Sequence, residues 1–174
     1  TAPPPPAQPP TPAPTPPAAP DPATRNGYTA ADVKFMQGMI VHHRQALEMS
    51  ALVPTRTTRD DFALMAERIT LSQKTEIAQM QRWLQKRGEA VPAEDAHVHA
   101  AMGHGEMMPG MLSEAELAQL KNARGVGFEM LFLQLMIKHH EGALLMVKQL
   151  FNTPGAGQEP ELFILAGHVD ADQN

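Results

Sequence analysis

Cysteine is absent from this chain of 174 residues. Its absence excludes disulfide bonds, thiolate metal sites and cysteine nucleophiles. Basic residues are also few, because 14 Lys and Arg stand against 19 Asp and Glu, which gives a net charge of -5 without any basic block. This composition disfavours nucleic acid as a partner, since contacts to phosphates need clustered positive charge.

Long hydrophobic runs are missing as well. The most apolar stretch, residues 128–147, is interrupted by side chains such as Glu129, Lys138 and Glu141. A membrane-spanning helix needs about 18 to 20 consecutive apolar residues. The sequence therefore predicts no transmembrane segment.

Proline is scarce except near the N-terminus, where 12 of the 17 prolines lie within residues 3–22. Such a segment cannot build a core and favours extended polyproline II structure. We interpret residues 1–27 as an extended, semi-rigid arm and residues 28–174 as the folded part. The chain begins at Thr1 without a signal-peptide pattern, so we expect any export signal to have been removed.

The folded part is predicted to be all-α, since no alternating apolar run typical of a strand occurs. Capping boxes at Thr29 and Ser113 each open a helix. We predict helices over residues 29–53, 59–87, 113–124 and 126–151, and a last one from 159 to the chain end. Pro54 is expected to end the first of them, and residues 89–111 are expected to form a loop.

An internal repeat links the two halves of the folded part. The segment Met39-Ile40-Val41-His42-His43 recurs as Met136-Ile137-Lys138-His139-His140. Downstream, Ala46 and Met49 match Ala143 and Met146, and residues 66–73 match residues 166–173. The sequence thus predicts a four-helix bundle made of two copies of one helical hairpin.

Each histidine pair has one member predicted at the centre of an apolar helix face and one at its edge. His43 and His140 are the central members, and they share their faces with Met36, Ile40 and Leu47 and with Leu133, Ile137 and Leu144, respectively. The residues predicted on the opposite, polar side of the first helix include Arg44, Gln45 and Glu48. The edge members His42 and His139 form Met-His-Met stripes with Met39, Met49, Met136 and Met146.

Two interpretations of these histidines stay open. In the first, they are core side chains whose hydrogen bonds are completed by the polar residues Gln73, Glu76 and Gln173. In the second, the imidazoles and the neighbouring thioethers bind a soft metal ion.

The predicted loop is rich in the same residue types. Seven of its residues between 97 and 111 are His or Met, namely His97, His99, Met102, His104, Met107, Met108 and Met111. Thioethers suit Cu(I) or Ag(I), and the imidazoles can also bind Cu(II). Alternatively, Met107, Met108 and Met111 pack as an apolar lead-in to the helix that opens at Ser113.

These motifs resemble the DUF305 family over residues 29–174. The resemblance is carried by the doubled Met-Ile-x-His-His element, by Gln73-x-x-Glu76-Ile77-x-x-Met80 and by Met108-Pro109-Gly110-Met111. It implies a ferritin-like four-helix bundle, usually exported or periplasmic, with copper-binding members. The second half reaches Asn174 before any match to Glu76, so a symmetric two-carboxylate metal centre is not expected.

Catalytic patterns are missing from the sequence, and we expect the protein not to be an enzyme. A Glu-x-x-His element occurs only at Glu94 to His97, in the loop, and no zinc-protease, nucleophile-elbow or phosphate-loop motif is present.

Two functional hypotheses remain. The first is a periplasmic or extracellular copper-binding protein that sequesters or delivers the ion. The second is an accessory subunit of a larger extracytoplasmic or membrane-bound complex, docked through residues 1–24, because an extended proline-rich arm binds a groove at low entropic cost.

Overall fold

The computed structural model describes residues 27–95 and 107–173, and these residues form five helices. We number them α1 (Ala30–Arg56), α2 (Asp60–Lys86), α3 (Glu114–Asn122), α4 (Gly125–Asn152) and α5 (Pro160–Gln173). No strand occurs in the two described ranges, and the all-α prediction is confirmed. The predicted arm, apart from Gly27, lies outside them.

Side-chain caps explain where two of the helices begin. Thr29 accepts a hydrogen bond from the backbone N–H of Asp32, whose carboxylate accepts from the N–H of Thr29 in return. Ser113 and Glu116 form the same reciprocal pair at the start of α3. Both predicted capping boxes are therefore present, and each completes two otherwise unpaired backbone donors.

Pro54 does not end the first helix, so that prediction was wrong. The helix continues to Arg56, and the N–H of Thr57 still donates to the carbonyl of Val53. Proline removes one backbone hydrogen bond from the last turn, and other contacts are made by this turn. One of them is a hydrogen bond of 3.0 Å from Arg56 Nε to the carbonyl of Lys121.

The four long helices form a bundle in which α1 packs against α2 and α4, while α5 packs against α4 and α2. The helix α3 lies against α1 and α4. Early residues of α1 share one core with late residues of α4, and late residues of α1 share another core with early residues of α4. These two helices therefore run antiparallel. The two repeats thus face each other across an approximate two-fold axis.

Two apolar clusters fill the bundle, one on either side of the histidine pairs. The Trp83 core contains Met36, Met39, Ile40, Met80, Trp83, Leu84, Ala143, Met146, Leu162 and Val169, among others. The Phe128 core contains Ala46, Met49, Phe62, Leu112, Leu117, Leu120, Phe128, Phe132 and Met136, among others. Between them lies a layer of buried polar side chains.

The predicted apolar face of α4 was wrong in its register. Leu133 and Ile137 are 37% and 58% exposed, whereas Phe132, Leu135 and Met136 are buried. The helix α5 covers the later part of α4 within the Trp83 core, and Leu133 and Ile137 lie outside that core. Gln45, predicted on the polar side of α1, is fully buried instead.

No helix in the two described ranges is both long enough and apolar enough to cross a membrane.

Candidate metal centre

The polar layer between the two cores is formed mainly by the repeated histidines. His42, His43 and His139 are fully buried, and His140 is partly buried. The predicted positions were therefore wrong for three of the four side chains. His42 and His139 are not at an exposed edge, because α1 and α4 meet there, while His140 lies on the less covered face of α4.

His42 and His139 contact each other across the approximate two-fold axis. Their ring centroids are 3.9 Å apart and the rings are tilted by 41°. The two residues hold equivalent positions in the repeat. Equivalent residues near a two-fold axis meet their own counterparts, so the duplication itself brings the two imidazoles together.

Hydrogen bonds define which ring nitrogen of His42 and of His139 carries the proton. His42 Nε2 lies 2.9 Å from the carbonyl oxygen of Pro109, and His139 Nε2 lies 3.0 Å from the carbonyl oxygen of His42. A carbonyl oxygen only accepts, so both Nε2 atoms donate. In the neutral rings the Nδ1 atoms therefore carry the lone pairs, and both are buried without a hydrogen-bond partner.

Burial keeps these rings uncharged. Desolvation, reinforced by the neighbouring His43, lowers the pKa of His42 from 6.5 to about 3. Desolvation also lowers the pKa of His139 well below its ordinary value, with the nearby His42 acting in the same direction. At neutral pH both imidazoles are thus neutral, which is the form that binds metal ions.

His43 has a different partner. Its Nε2 lies 2.5 Å from Glu76 Oε2. Desolvation lowers the pKa of His43 to about 3, while desolvation and the adjacent Asp172 raise the pKa of Glu76 to about 7. Below pH 7 the contact is therefore a neutral pair in which the carboxyl group donates to the imidazole.

Gln73 and Gln173 also lie in the buried layer, and their Oε1 atoms have no hydrogen-bond partner there. With Glu76, they were predicted to complete the hydrogen bonds of the histidines. The structure brings Glu76 to His43, and it leaves the Nδ1 atoms of His42, His43 and His139 unpartnered.

Methionine thioethers flank the histidine pair on both sides. Met39 and Met146 lie in the Trp83 core, and Met49 and Met136 lie in the Phe128 core. Each side thus receives one methionine from α1 and one from α4. In residues 27–95 and 107–173, no three His, Asp or Glu side chains are grouped as a metal site. The candidate donor set there is two neutral imidazoles and thioethers, which fits Cu(I) or Ag(I).

The loop ligands are only partly described. His97, His99, Met102 and His104 lie outside the described residues. Met107 is 44% exposed, Met108 packs against the Trp83 core, and Met111 is buried. The alternative that the loop methionines lead into α3 thus describes Met111 and Met108 better than Met107.

A feature that the sequence did not predict is the attachment of residues 108–112 to the bundle, which we call the clamped segment. Gln45 Nε2 donates to the carbonyl of Leu112 at 3.0 Å, and the N–H of Leu112 donates to Gln45 Oε1 at 2.7 Å. These partners are 67 positions apart, and no periodicity reports a contact over such a separation.

A groove of about 1100 Å³ lies beside the clamped segment. Its lining includes Phe35, Gly38, Val41, Met107, Met108 and Met146. A Cβ atom added to Gly38 would lie 3.2 Å from Met108 Sδ and 3.4 Å from the methyl group of Met146. The absence of a side chain at Gly38 therefore lets both methionine side chains approach the same point on α1.

The fold and the buried layer define a class of protein: a four-helix bundle of two repeated hairpins with histidine pairs on its approximate two-fold axis. The model of the family described as "Domain of unknown function (DUF305)" matches residues 32–174. The chain belongs to the DUF305 family, as its motifs had indicated. A comparison with curated proteins gives no match.

Solved structures of similar proteins agree with the fold. A DUF305 fragment from Deinococcus radiodurans is 32% identical, with a TM-score of 0.68 over 84% of this chain and 89% of its own. A DUF305 protein from Streptomyces coelicolor, described as secreted, is 30% identical, with a TM-score of 0.66 over 82% and 85%. CopM in its Cu(II)-bound form is 27% identical, with a TM-score of 0.64 over 82% and 87%.

Proposed function

We propose that this protein is an exported, non-catalytic copper-binding protein that sequesters or delivers the ion through Met and His ligands. The observation that carries the proposal is the His42–His139 pair, whose Nδ1 atoms are buried and unpartnered beside methionines from both halves. Thioethers and neutral imidazoles form the ligand set that copper prefers when thiolates are absent.

The electrostatics of the pair support this function. A metal ion competes with protons for an ordinary histidine near pH 6, but the lowered pKa values of His42 and His139 remove that competition. The likeness to CopM, which has been crystallised with Cu(II) and with Cu(I), supports copper as the ion. The secreted relative supports export.

Competition for Cu(I) and Ag(I) against the chromogenic chelator bicinchoninate tests the proposal. The wild-type protein should withdraw the ion from the chelator. His42→Gln and His139→Gln should weaken uptake, because glutamine retains a donor near the Nε2 position and removes the Nδ1 lone pair. His168→Gln, on the exposed face of α5, is the matched control. A wild-type protein that never withdraws the ion contradicts the proposal.

The loop requires its own variant. Replacing Met102, His104 and Met107 by Ala, together with Met111→Leu, removes loop ligands while a large apolar side chain remains at the buried position 111. Reduced uptake would assign ligands to the loop. Unchanged uptake would restrict the proposal to the buried histidine layer.

The subunit hypothesis remains a second proposal, supported by the proline-rich composition of residues 3–22. Deleting residues 1–24 should release the protein from its complex while copper uptake by the bundle is retained. Unchanged co-purification with other subunits would contradict docking through the arm.

A further inference from the structure

The clamped segment contacts α1 and α4 at positions that are equivalent in the repeat. Gln45 in α1 and Gly142 in α4 are separated by the same 97 positions as His42 and His139. On the α1 side, Gln45 pairs with both the N–H and the carbonyl of Leu112. On the α4 side, Gly142 has no side chain, so the backbone of the segment can lie directly against the helix.

The contact at Gly142 has no room for even a methyl group. A Cβ atom there would lie 2.1 Å from the carbonyl oxygen of Pro109 and 2.4 Å from the Cα atom of Gly110. Gly110 has a φ of +75°, and its own Cβ atom would lie 2.6 Å from the Cα atom of Gly142. Two glycine backbones therefore touch directly, and one of them requires a conformation that L-residues rarely adopt.

Two consequences for the candidate metal centre follow from this attachment. The carbonyl of Pro109 accepts from His42 Nε2, and this bond directs the His42 lone pair to Nδ1. The preceding residue, Met108, places its Sδ atom beside Gly38, at a point that the methyl group of Met146 also approaches. Moving the segment would remove the acceptor that holds the proton on His42 Nε2 and would displace Met108 at the same time.

We infer that Gln45 and Gly142 are positioning residues, which hold residues 108–112 so that Met108 and the Nδ1 atom of His42 are presented to a soft monovalent ion. This inference rests on the proposed copper-binding function. Neither residue is itself a ligand: Gln45 acts through its two hydrogen bonds to Leu112, and Gly142 acts through the space that it leaves.

The test compares matched glycine variants on one helix, with Ag(I) as the probe. Gly142→Ala forces Pro109 and Gly110 to move, whereas Gly127→Ala adds a methyl group with no atom within 4 Å. The dissociation constant for Ag(I) should rise about 10- to 100-fold in Gly142→Ala, which is the usual effect of losing a group that orients a ligand. It should stay within about twofold in Gly127→Ala, which leaves every ligand-orienting contact in place.

Gln45→Leu provides a second variant if Gly142→Ala does not fold. It keeps a side chain of similar size and removes both hydrogen bonds to Leu112, while Gln134→Leu on the exposed face of α4 is its control. Gln45→Glu should partly restore Ag(I) affinity, because it keeps the acceptor for the N–H of Leu112.

Readouts on the metal-free protein separate this inference from the proposed function. Nuclear Overhauser effects between the side chain of Met108 and the α protons of Gly38, and slow hydrogen exchange at Leu112 N–H, should be present in the wild type and lost in Gly142→Ala and Gln45→Leu. If the wild type binds no Ag(I), the proposed function fails although these signals report the clamp. If both variants keep the signals and wild-type Ag(I) affinity, the positioning roles are overturned.

Discussion

Met36 and Ile40 in α1 are fully buried, whereas Leu133 and Ile137, at the same positions of the repeat in α4, are 37% and 58% exposed. The local patterns are alike, and what differs is the helix that lies across them. Ile77, Met80 and Trp83 from the second half of α2 share the core with Met36 and Ile40. The described α5 ends at Gln173, before any counterpart of those residues. The difference teaches that burial within a repeat depends on the covering element.

The polar layer shows the same asymmetry between the halves. His43 is fully buried and contacts Glu76, while His140 is only partly buried. The first hairpin therefore holds a buried imidazole–carboxyl pair that has no counterpart in the described residues of the second.

Acid should strongly lower the stability of the protein through its buried histidines. His42, His43 and His139 have lowered pKa values, so below pH 6.5 the unfolded chain binds protons that the folded chain does not. Each ring then costs about 1.4 kcal/mol of stability per pH unit, while the raised pKa of Glu76 offsets part of the loss. We expect the free energy of unfolding to fall by about 4 kcal/mol from pH 7.5 to pH 5, measured by urea titration.

Single variants compare the contributions of the equivalent residues His43 and His140 to this acid sensitivity. His43→Leu should reduce the slope of the unfolding free energy against pH by about 1.4 kcal/mol per pH unit. The reason is that this variant removes a fully buried ring that stays neutral in the folded state. His140→Leu should reduce the slope less, since this ring is only partly buried. Equal slopes in the two variants would show that the halves are electrostatically alike.

The matched pair Ile40→Ala and Ile137→Ala tests the difference in burial. Ile40→Ala should lower the free energy of unfolding by about 2–5 kcal/mol, through lost burial and the cavity left behind. Ile137→Ala should change it by about 0.5 kcal/mol or less, because more than half of its surface is already in water. Equal losses in urea unfolding would mean that Ile137 is covered in solution.

Glu76→Gln should have a smaller, pH-dependent effect. The folded pKa of Glu76, about 7, lies above its ordinary 4.5, so this residue stabilises the fold below pH 4.5 and loses that contribution as the pH rises through 7. Glutamine does not titrate, so between pH 5 and pH 8 the variant should gain roughly 2 kcal/mol relative to wild type. Glu141→Gln, exposed on α4, is the matched control. A pH-independent difference for Glu76→Gln would refute the raised pKa.

Local signals in the sequence predicted the helices well. Thr29 and Ser113 have short-range partners three residues away, so their caps can be recognised without knowledge of the fold. The repeat likewise indicated two hairpins. The end of α1 was less predictable, because the helix continues past Pro54 to Arg56, whose side chain bonds the carbonyl of the distant Lys121.

The candidate site depended on contacts that periodicity does not report. A wide apolar face accommodates either member of a histidine pair, and the crossing of α1 and α4 decides that His42 and His139 are buried. The pairing of Gln45 with Leu112 joins residues from separate elements. Only the residue types, imidazole and thioether, could be predicted from composition.

The direct contact between Gly110 and Gly142 has a consequence for the divergence of the two repeats. After a duplication, recombination between the copies can make them identical again. Copying the codon for Gln45 onto position 142 would place a long side chain where not even a methyl group fits. The attachment of residues 108–112 to α4 is therefore incompatible with an exact repeat, because position 142 must lack the side chain that position 45 carries.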